Sequence, residues 1–229
     1  MNRRCLLCVL LANIGMVHFL TAQSVPVEIG GIAEFGGGYY HADNTLLNNW
    51  FLKNAKNKIN SPVNNVEYFD LNLGLLYHNG YYAFETAIGG LDNKLIGRMN
   101  LSAGFIGVER SKFILIPKMN FGIQETELSD YSAKNKNGYY YKHEALVAGP
   151  SIKTLWFPNR WHGDFYFSLE AGVNMNFTDF RWWYGYTADN GTGRGKSIGV
   201  YINNVPPEAK ANFFIRLTVG FAELHRSKK

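Results

Sequence analysis

The chain has 229 residues, 46% hydrophobic and 15% aromatic, with a formal net charge of +5 and a mean hydropathy of −0.18. That length suits one domain or a single barrel, and that hydropathy excludes a polytopic helical membrane protein. So mild a charge does not argue for nucleic acid as a partner.

Arg3 and Arg4 precede an apolar run from Cys5 to Leu20, which ends at Thr21-Ala22-Gln23. A basic start, an apolar core and a small-residue cleavage site form a secretory signal peptide, so residues 1–22 are read as a leader and 23–229 as the exported chain. The leader takes two of the 23 basic residues and none of the 18 acidic ones, leaving a net charge of +3. It also holds both cysteines, Cys5 and Cys8, so the remainder is expected to form no disulfide and no thiolate metal site. The six histidines are scattered without metal-ligand spacing, and no cofactor or metal is expected.

Eight segments then repeat one pattern of period two, the signature of half-buried strands. The first, Val27 to Tyr40, sets Ile29, Ala33 and Phe35 against Glu28, Gly30 and Glu34. An asparagine-rich connection follows, too poor in apolar residues to hold a core of its own. The second strand, Val66 to Tyr77, alternates Phe69, Leu71, Leu73 and Leu75 with Asp70, Asn72 and Gly74. His78-Asn79-Gly80 marks a tight hairpin, because Asn-Gly accepts the positive φ angles of a type I′ turn. The third, Tyr81 to Gly90, places Phe84, Thr86 and Ile88 opposite Ala83, Glu85 and Ala87. The fourth, Leu95 to Val108, places Met99 and Leu101 opposite Arg98, Asn100 and Ser102.

The fifth strand, Phe113 to Thr126, carries Lys118, Asn120 and Gln124 on its polar side, and the sixth runs irregularly from Tyr139 to Trp156. Pro117 and Pro150 each remove a ladder hydrogen bond, and if the two strands pair, a bulge or a water-filled irregularity is expected where the prolines meet. The seventh, Asp164 to Phe177, is the clearest: Phe165, Phe167, Leu169, Ala171, Val173, Met175 and Phe177 alternate with small polar residues around Glu170. Twelve steps at ~3.3 Å per residue and a tilt near ~40° rise roughly 30 Å, about the hydrocarbon thickness of a bilayer. The eighth, Ala211 to Phe221, alternates Phe213, Ile215, Leu217 and Val219 with Asn212, Arg216 and Thr218. Residues 181–203 would make ten strands if they entered the membrane.

Period two does not say which face meets lipid, and a soluble lipocalin-like ligand carrier has its apolar face inward. The polar faces here are mostly Gly, Ala, Ser and Asn, which fit the narrow interior of an eight-stranded barrel rather than a solvent face. Aromatics near the strand ends suit the two membrane interfaces. The fold expected is therefore all-β, an eight-stranded antiparallel up-and-down transmembrane barrel.

On the leader, these strands and the terminal FFIRLTVGF, the chain resembles the small outer-membrane β-barrels of Gram-negative bacteria, such as the OmpA transmembrane domain and the OmpX and OmpW groups. The terminal strand departs from the usual form in that eight residues follow Phe221. The resemblance implies residence in the outer membrane, contact with its lipid and lipopolysaccharide, and a structural or interaction role exerted through external loops or periplasmic turns. A subunit of an outer-membrane secretion or assembly machine is the alternative, and no enzyme activity is expected. His41 and Asp43 stand at the outer rim, but no His-x-Ser pair accompanies them as in the lipid A enzymes built on such barrels.

Projected inward are Glu28, Glu34, Asp70, Glu85 and Glu170 against Arg98, Lys118 and Arg216, read as a salt-bridge network that fills the lumen. The external run Trp182, Trp183, Tyr184 and Tyr186 is the candidate contact surface. Gly191 to Ser197 imitates a phosphate loop but has Asn190 where the first glycine belongs. Boiled and unboiled samples of the protein recovered with the outer membrane are expected to differ in gel mobility; recovery in the soluble periplasm without a shift would sink the barrel.

Overall fold

The structure, a computed structural model, describes residues 27–54, 64–90, 94–110, 112–129, 138–158, 165–177, 181–188 and 196–226. The leader and the run 189–195 lie outside the described residues, as do the side chains of Glu28 and Tyr186. In chain order come β1 (Val27–Ala42), helix α1 (Thr45–Asn54), β2 (Asn65–Tyr77), β3 (Gly80–Gly89), β4 (Lys94–Phe105), β5 (Val108–Arg110), β6 (Phe113–Ser129), β7 (Gly138–Trp156), β8 (Phe165–Asn176), β9 (Trp183–Ala188), β10 (Lys196–Tyr201) and β11 (Ala211–Arg226).

Eight of these strands close on themselves. Pairing runs β1-β2-β3-β4-β6-β7-β8-β11 and back to β1, antiparallel throughout. The count is eight because β9 pairs with Gly138–Lys142 of β7, beyond the point where Val147 faces Asn176 at the end of β8. β9 thus continues β8's place beside β7 above the ring, and β10 pairs with β9 alone. β11 runs on past Phe221 to Arg226, which faces Val27, so most of the residues after Phe221 are still strand.

Sidedness follows from exposure. Leu71 and Leu73 are 44% and 54% exposed, whereas Asp70 and Asn72 are 1% and 0%. The same alternation puts Phe35, Phe84, Met99, Leu101, Phe121, Ile152, Leu169 and Leu217 on the outside all the way round. A soluble barrel carrying ligand in an apolar lumen is the reverse of this arrangement, and that reading is overturned.

Two local expectations are refined. In the β2–β3 turn the positive φ angles belong to His78 (44°) and Asn79 (66°), and Gly80 already pairs with Tyr77, so the turn lies one residue before the Asn-Gly step. At Pro117 a bulge does form, but on the β4 side rather than between the two prolines. Gly104 faces Lys118 and Val108 faces Leu115, so three residues, Phe105 to Gly107, stand opposite two, Ile116 and Pro117. Register between β6 and β7 runs unbroken through Pro117 and Pro150, with Met119 facing Pro150.

The other interruption is in the β7–β8 ladder, which skips Gly149 and Pro150. β8 rides tightly there: a Cβ on Gly149 would lie 1.8 Å from the Val173 carbonyl oxygen. Backbone cannot yield as a flexible side chain does, so Gly149→Val is expected to destabilise the barrel by about 1–3 kcal/mol. Urea unfolding in detergent, followed by the mobility difference between boiled and unboiled samples, checks this; an unchanged midpoint would show that β7 and β8 can part there without loss.

Candidate functional site

The lumen is filled in storeys. Nearest the termini lies an apolar layer built by Ile32, Leu76, Ile114, Ile116, Leu155 and Phe157 with the rings of Tyr81 and Tyr166. Each comes from an inward position of its strand, and Phe157 closes the layer just beyond β7.

Above it is a ring of charge. Seven strands supply one charged side chain each: Glu34 from β1, Asp70 from β2, Glu85 from β3, Lys118 from β6, Lys153 from β7, Glu170 from β8 and Arg216 from β11. All are buried. The Arg216 guanidinium reaches Asp70 through Nη1, Glu85 through Nη2 at 2.8 Å, and Glu170 through Nε at 3.0 Å and through Nη2. Lys118 pairs with Glu85 and with Glu170 at 3.1 Å, and Lys153 pairs with Glu34, with Glu170 at 3.8 Å. Glu34 also accepts from Asn72 Nδ2 at 2.9 Å and from the Tyr166 hydroxyl at 2.8 Å. The eighth strand, β4, joins through Ser102, whose Oγ accepts from Lys118 at 3.3 Å and donates to Asn120 Oδ1 at 2.7 Å.

Six of the eight charged residues singled out from the sequence therefore meet: Glu34, Asp70, Glu85, Lys118, Glu170 and Arg216. Arg98 stands apart. Its Nη2 donates to Gln124 Oε1 at 3.0 Å, and its guanidinium lies over the rings of Tyr40 and Phe214. Lys153 escapes the sequence pattern because apolar residues fall on both faces of its strand before Pro150, although the parity runs unbroken through the proline and places it inward. Between Asp70, Glu85, Arg98, Asn100 and Arg216 remains a void of about 10 Å³, room for roughly one water.

A roof closes the outer mouth. Asn44 is the N-cap of α1, its carbonyl accepting from Asn48 N at 2.8 Å, and Asp43 just before it accepts through Oδ1 from Thr45 N at 3.3 Å and Thr45 Oγ1 at 2.6 Å, which holds its carboxyl below the ordinary value. Leu47 and Phe51, four apart and so on one helix face, point down into the mouth against Leu128, Tyr141 and Trp182. The connection between β1 and β2 thus needs no core of its own, because it borrows the barrel's. Of the aromatic run, Trp182 is buried in this roof, Tyr184 packs on Tyr141 at 5.0 Å and Trp183 meets Tyr201 at 5.4 Å. His41 lies at the rim with Nδ1 2.6 Å from Asn65 Oδ1.

Among solved structures, the chain is similar to a major outer membrane protein from Thermus thermophilus, with a TM-score of 0.57 and 10% identity over 85% of this chain and 99% of that one. Weaker likenesses are the N-terminal β-barrel domain of Pseudomonas aeruginosa OprF (TM-score 0.40, 11% identity, 86% and 99% covered) and the outer membrane protease OmpT from Escherichia coli (0.38, 10%, 90% and 100%). No family model and no curated protein matches the sequence. Fold, sidedness and apolar belt are those of an outer-membrane β-barrel.

Breaking a buried ion pair by removing one partner leaves an uncompensated charge. Lys153→Met, which strips Glu34 of its cation, is expected to cost about 3–5 kcal/mol. Denaturant unfolding read by gel mobility measures it, and a loss under about 1 kcal/mol, the range of exposed pairs, would mean that the ring is solvated.

Proposed function

We propose that this outer-membrane barrel is a structural or interaction protein with a sealed lumen, which acts through what it presents outside the membrane and not by conducting or transforming a solute. The observation that carries the reading is the filled interior among the described residues: a packed apolar layer, a ring of ion pairs and a packed roof follow one another along the axis. A channel needs a continuous polar path, and an enzyme of this shape needs a reactive group open to substrate. His41 and Asp43, the rim residues nearest such a role, are engaged with Asn65 and with Thr45 of α1.

The belt faces lipid and lipopolysaccharide. Protein contact falls to the outer end, where among the described residues β10 pairs with β9 on one side only and presents Val200 and Tyr201, 63% and 60% exposed. An open strand edge beside exposed apolar side chains is a surface to which an extended segment of a partner adds.

Reconstitution in planar bilayers tests the seal. The intact chain is expected to give no stepwise conductance. Arg216→Ala, in a barrel still shifted by heating, is expected to raise leakage by opening space beside Asp70. Reproducible unit conductance from the unaltered protein would overturn the proposal.

A further inference from the structure

Between the charge ring and the roof the buried charges do not cancel. Among the described residues five carboxylates are buried, Glu34, Asp70, Glu85, Glu170 and Glu208, against four permanent cations, Arg98, Lys118, Lys153 and Arg216, and one histidine, His143. Lys118, Lys153 and Arg216 are engaged with the four acids of the ring. Arg98 donates to Gln124. Glu208 has Gln124 Nε2 at 3.3 Å from its Oε2 and, 3.7 Å from the same oxygen, His143 Nδ1.

His143 is 3% exposed and lies flat on Trp182, ring centres 4.9 Å apart and planes at 22°. Neither of its ring nitrogens has a hydrogen-bond partner, and Glu208 Oε1 has none either. With a neutral imidazole the five buried carboxylates of the lumen face four cations, and an unbalanced buried charge is costly; a protonated imidazole, 3.7 Å from Glu208, supplies the missing charge.

Glu208 belongs to a strap, residues 202–210, that crosses the mouth from β10 to β11. The strap is tied at both ends: Ile202 N donates to Trp182 O at 2.9 Å, Ala209 N donates to Asn44 Oδ1 at 2.7 Å, and Asn176 Nδ2 donates to Ala209 O at 2.8 Å. Ile202 and Val205 also pack on the roof cluster of Leu47, Phe51 and Trp182. Whatever holds Glu208 down therefore holds the roof together.

We propose that His143 is a proton-operated latch for this roof. When solvent protonates the imidazole, the cation faces Glu208 and the strap stays down on Trp182 and α1. When the proton leaves, Glu208 is unbalanced and the strap lifts to hydrate it. The groups around the imidazole are Thr126, directly across the ladder on β6, Tyr141 on its own strand, Trp182 beneath it and Phe51 of α1 behind Trp182. Tyr40 of β1, close enough to feel the charges of Glu208 and Arg98, and Arg98 of β4 share Gln124 with Glu208. Imidazole is the side chain that ordinarily changes charge between about pH 5 and 8, which sets the pH range of the test.

The test uses the full chain with Cys5 and Cys8 changed to serine and Pro207→Cys carrying a nitroxide beside Glu208, reconstituted in phospholipid vesicles. Electron paramagnetic resonance is expected to show an immobilised label at pH 5 and a mobile component that grows toward pH 8. The ratio of docked to released strap should change by at most about tenfold per pH unit, the limit for one linked proton. His143→Gln, neutral at every pH, is expected to be mobile throughout. Glu208→Gln, which removes the charge that calls for the proton, is expected to be docked throughout. The unboiled-against-boiled mobility shift confirms that each variant is folded before its spectrum is read. A wild-type spectrum that is the same at pH 5 and pH 8 overturns the latch, as does a pH response that survives in either variant.

Discussion

The ring of buried ion pairs around Arg216 is the constraint on which the barrel depends. Charges on these strands have two places to go. Facing lipid they are expensive, and facing the lumen unpaired they are expensive as well, so the tolerable state is the one in which seven of the eight strands bring a charge to the same height and β4 brings the Ser102 hydroxyl. That condition does something apolar alternation cannot. A slip of one residue between neighbours turns each strand inside out and is forbidden by the belt, but a slip of two keeps every apolar side chain facing lipid. It moves the charge by ~7 Å along the strand, and the ring comes apart. Arg216, touching acids from β2, β3 and β8, checks three registers at once. Ser102, Asn120 and Ser151 check β4, β6 and β7 in the same way, with hydrogen bonds of 2.7 and 3.0 Å.

The layers above and below the ring are consequences of its cost. Tyr81 and Tyr166 place their hydroxyls in the network, next to Asn72 and Glu34, and their rings in the apolar layer with Leu76, Ile114 and Phe157. They close the ring off from water on that side and strengthen its electrostatics by lowering the local dielectric. On the other side Leu47 and Phe51 of α1 do the same with Trp182 and Tyr141. Packed layers are thus what a stable ion ring needs around it, and the seal proposed above follows from stability rather than being an added device.

The strands are legible in the sequence because period two is carried by strong apolar residues over eight or more positions, as in β2, β8 and β11. Inward charges are legible for the same reason, since parity places Asp70, Glu170 and Arg216 without any knowledge of their partners. What sequence does not carry is anything that depends on contact at a distance. Lys153 lies on a strand whose apolar residues fall on both faces before Pro150, so its inward parity, unbroken through the proline, is hard to read. Arg98 has inward parity, yet it stands too high on β4 to join the ring, and height is a property of register with other strands. The helix α1 is short and mixed, with Leu46 and Leu52 exposed as well as Leu47 and Phe51 buried, so its apolar face shows only against the mouth it fills. Trp182 reads as part of a displayed patch, but burial beneath Phe51 and His143 uses it as a plug.

Interior and belt leave little freedom elsewhere. The inward charges of the ring are tied to several strands, so a change there is felt round the barrel; the outward positions of the belt are mostly apolar. Among the described residues, the surfaces free of both demands are the outer end, where α1, the strap and the β9–β10 hairpin rise above the ring, and the turns at the end that carries the termini. The outer end is also where the structure stops being a closed ladder: β10 has an open edge, and the strap is held by side-chain and single backbone bonds rather than by strand pairing. A scaffold rigid at its waist and loosely fastened at its outer rim can move or exchange what it presents without disturbing its seat in the membrane. For a barrel with a sealed lumen, that is where function has room to reside.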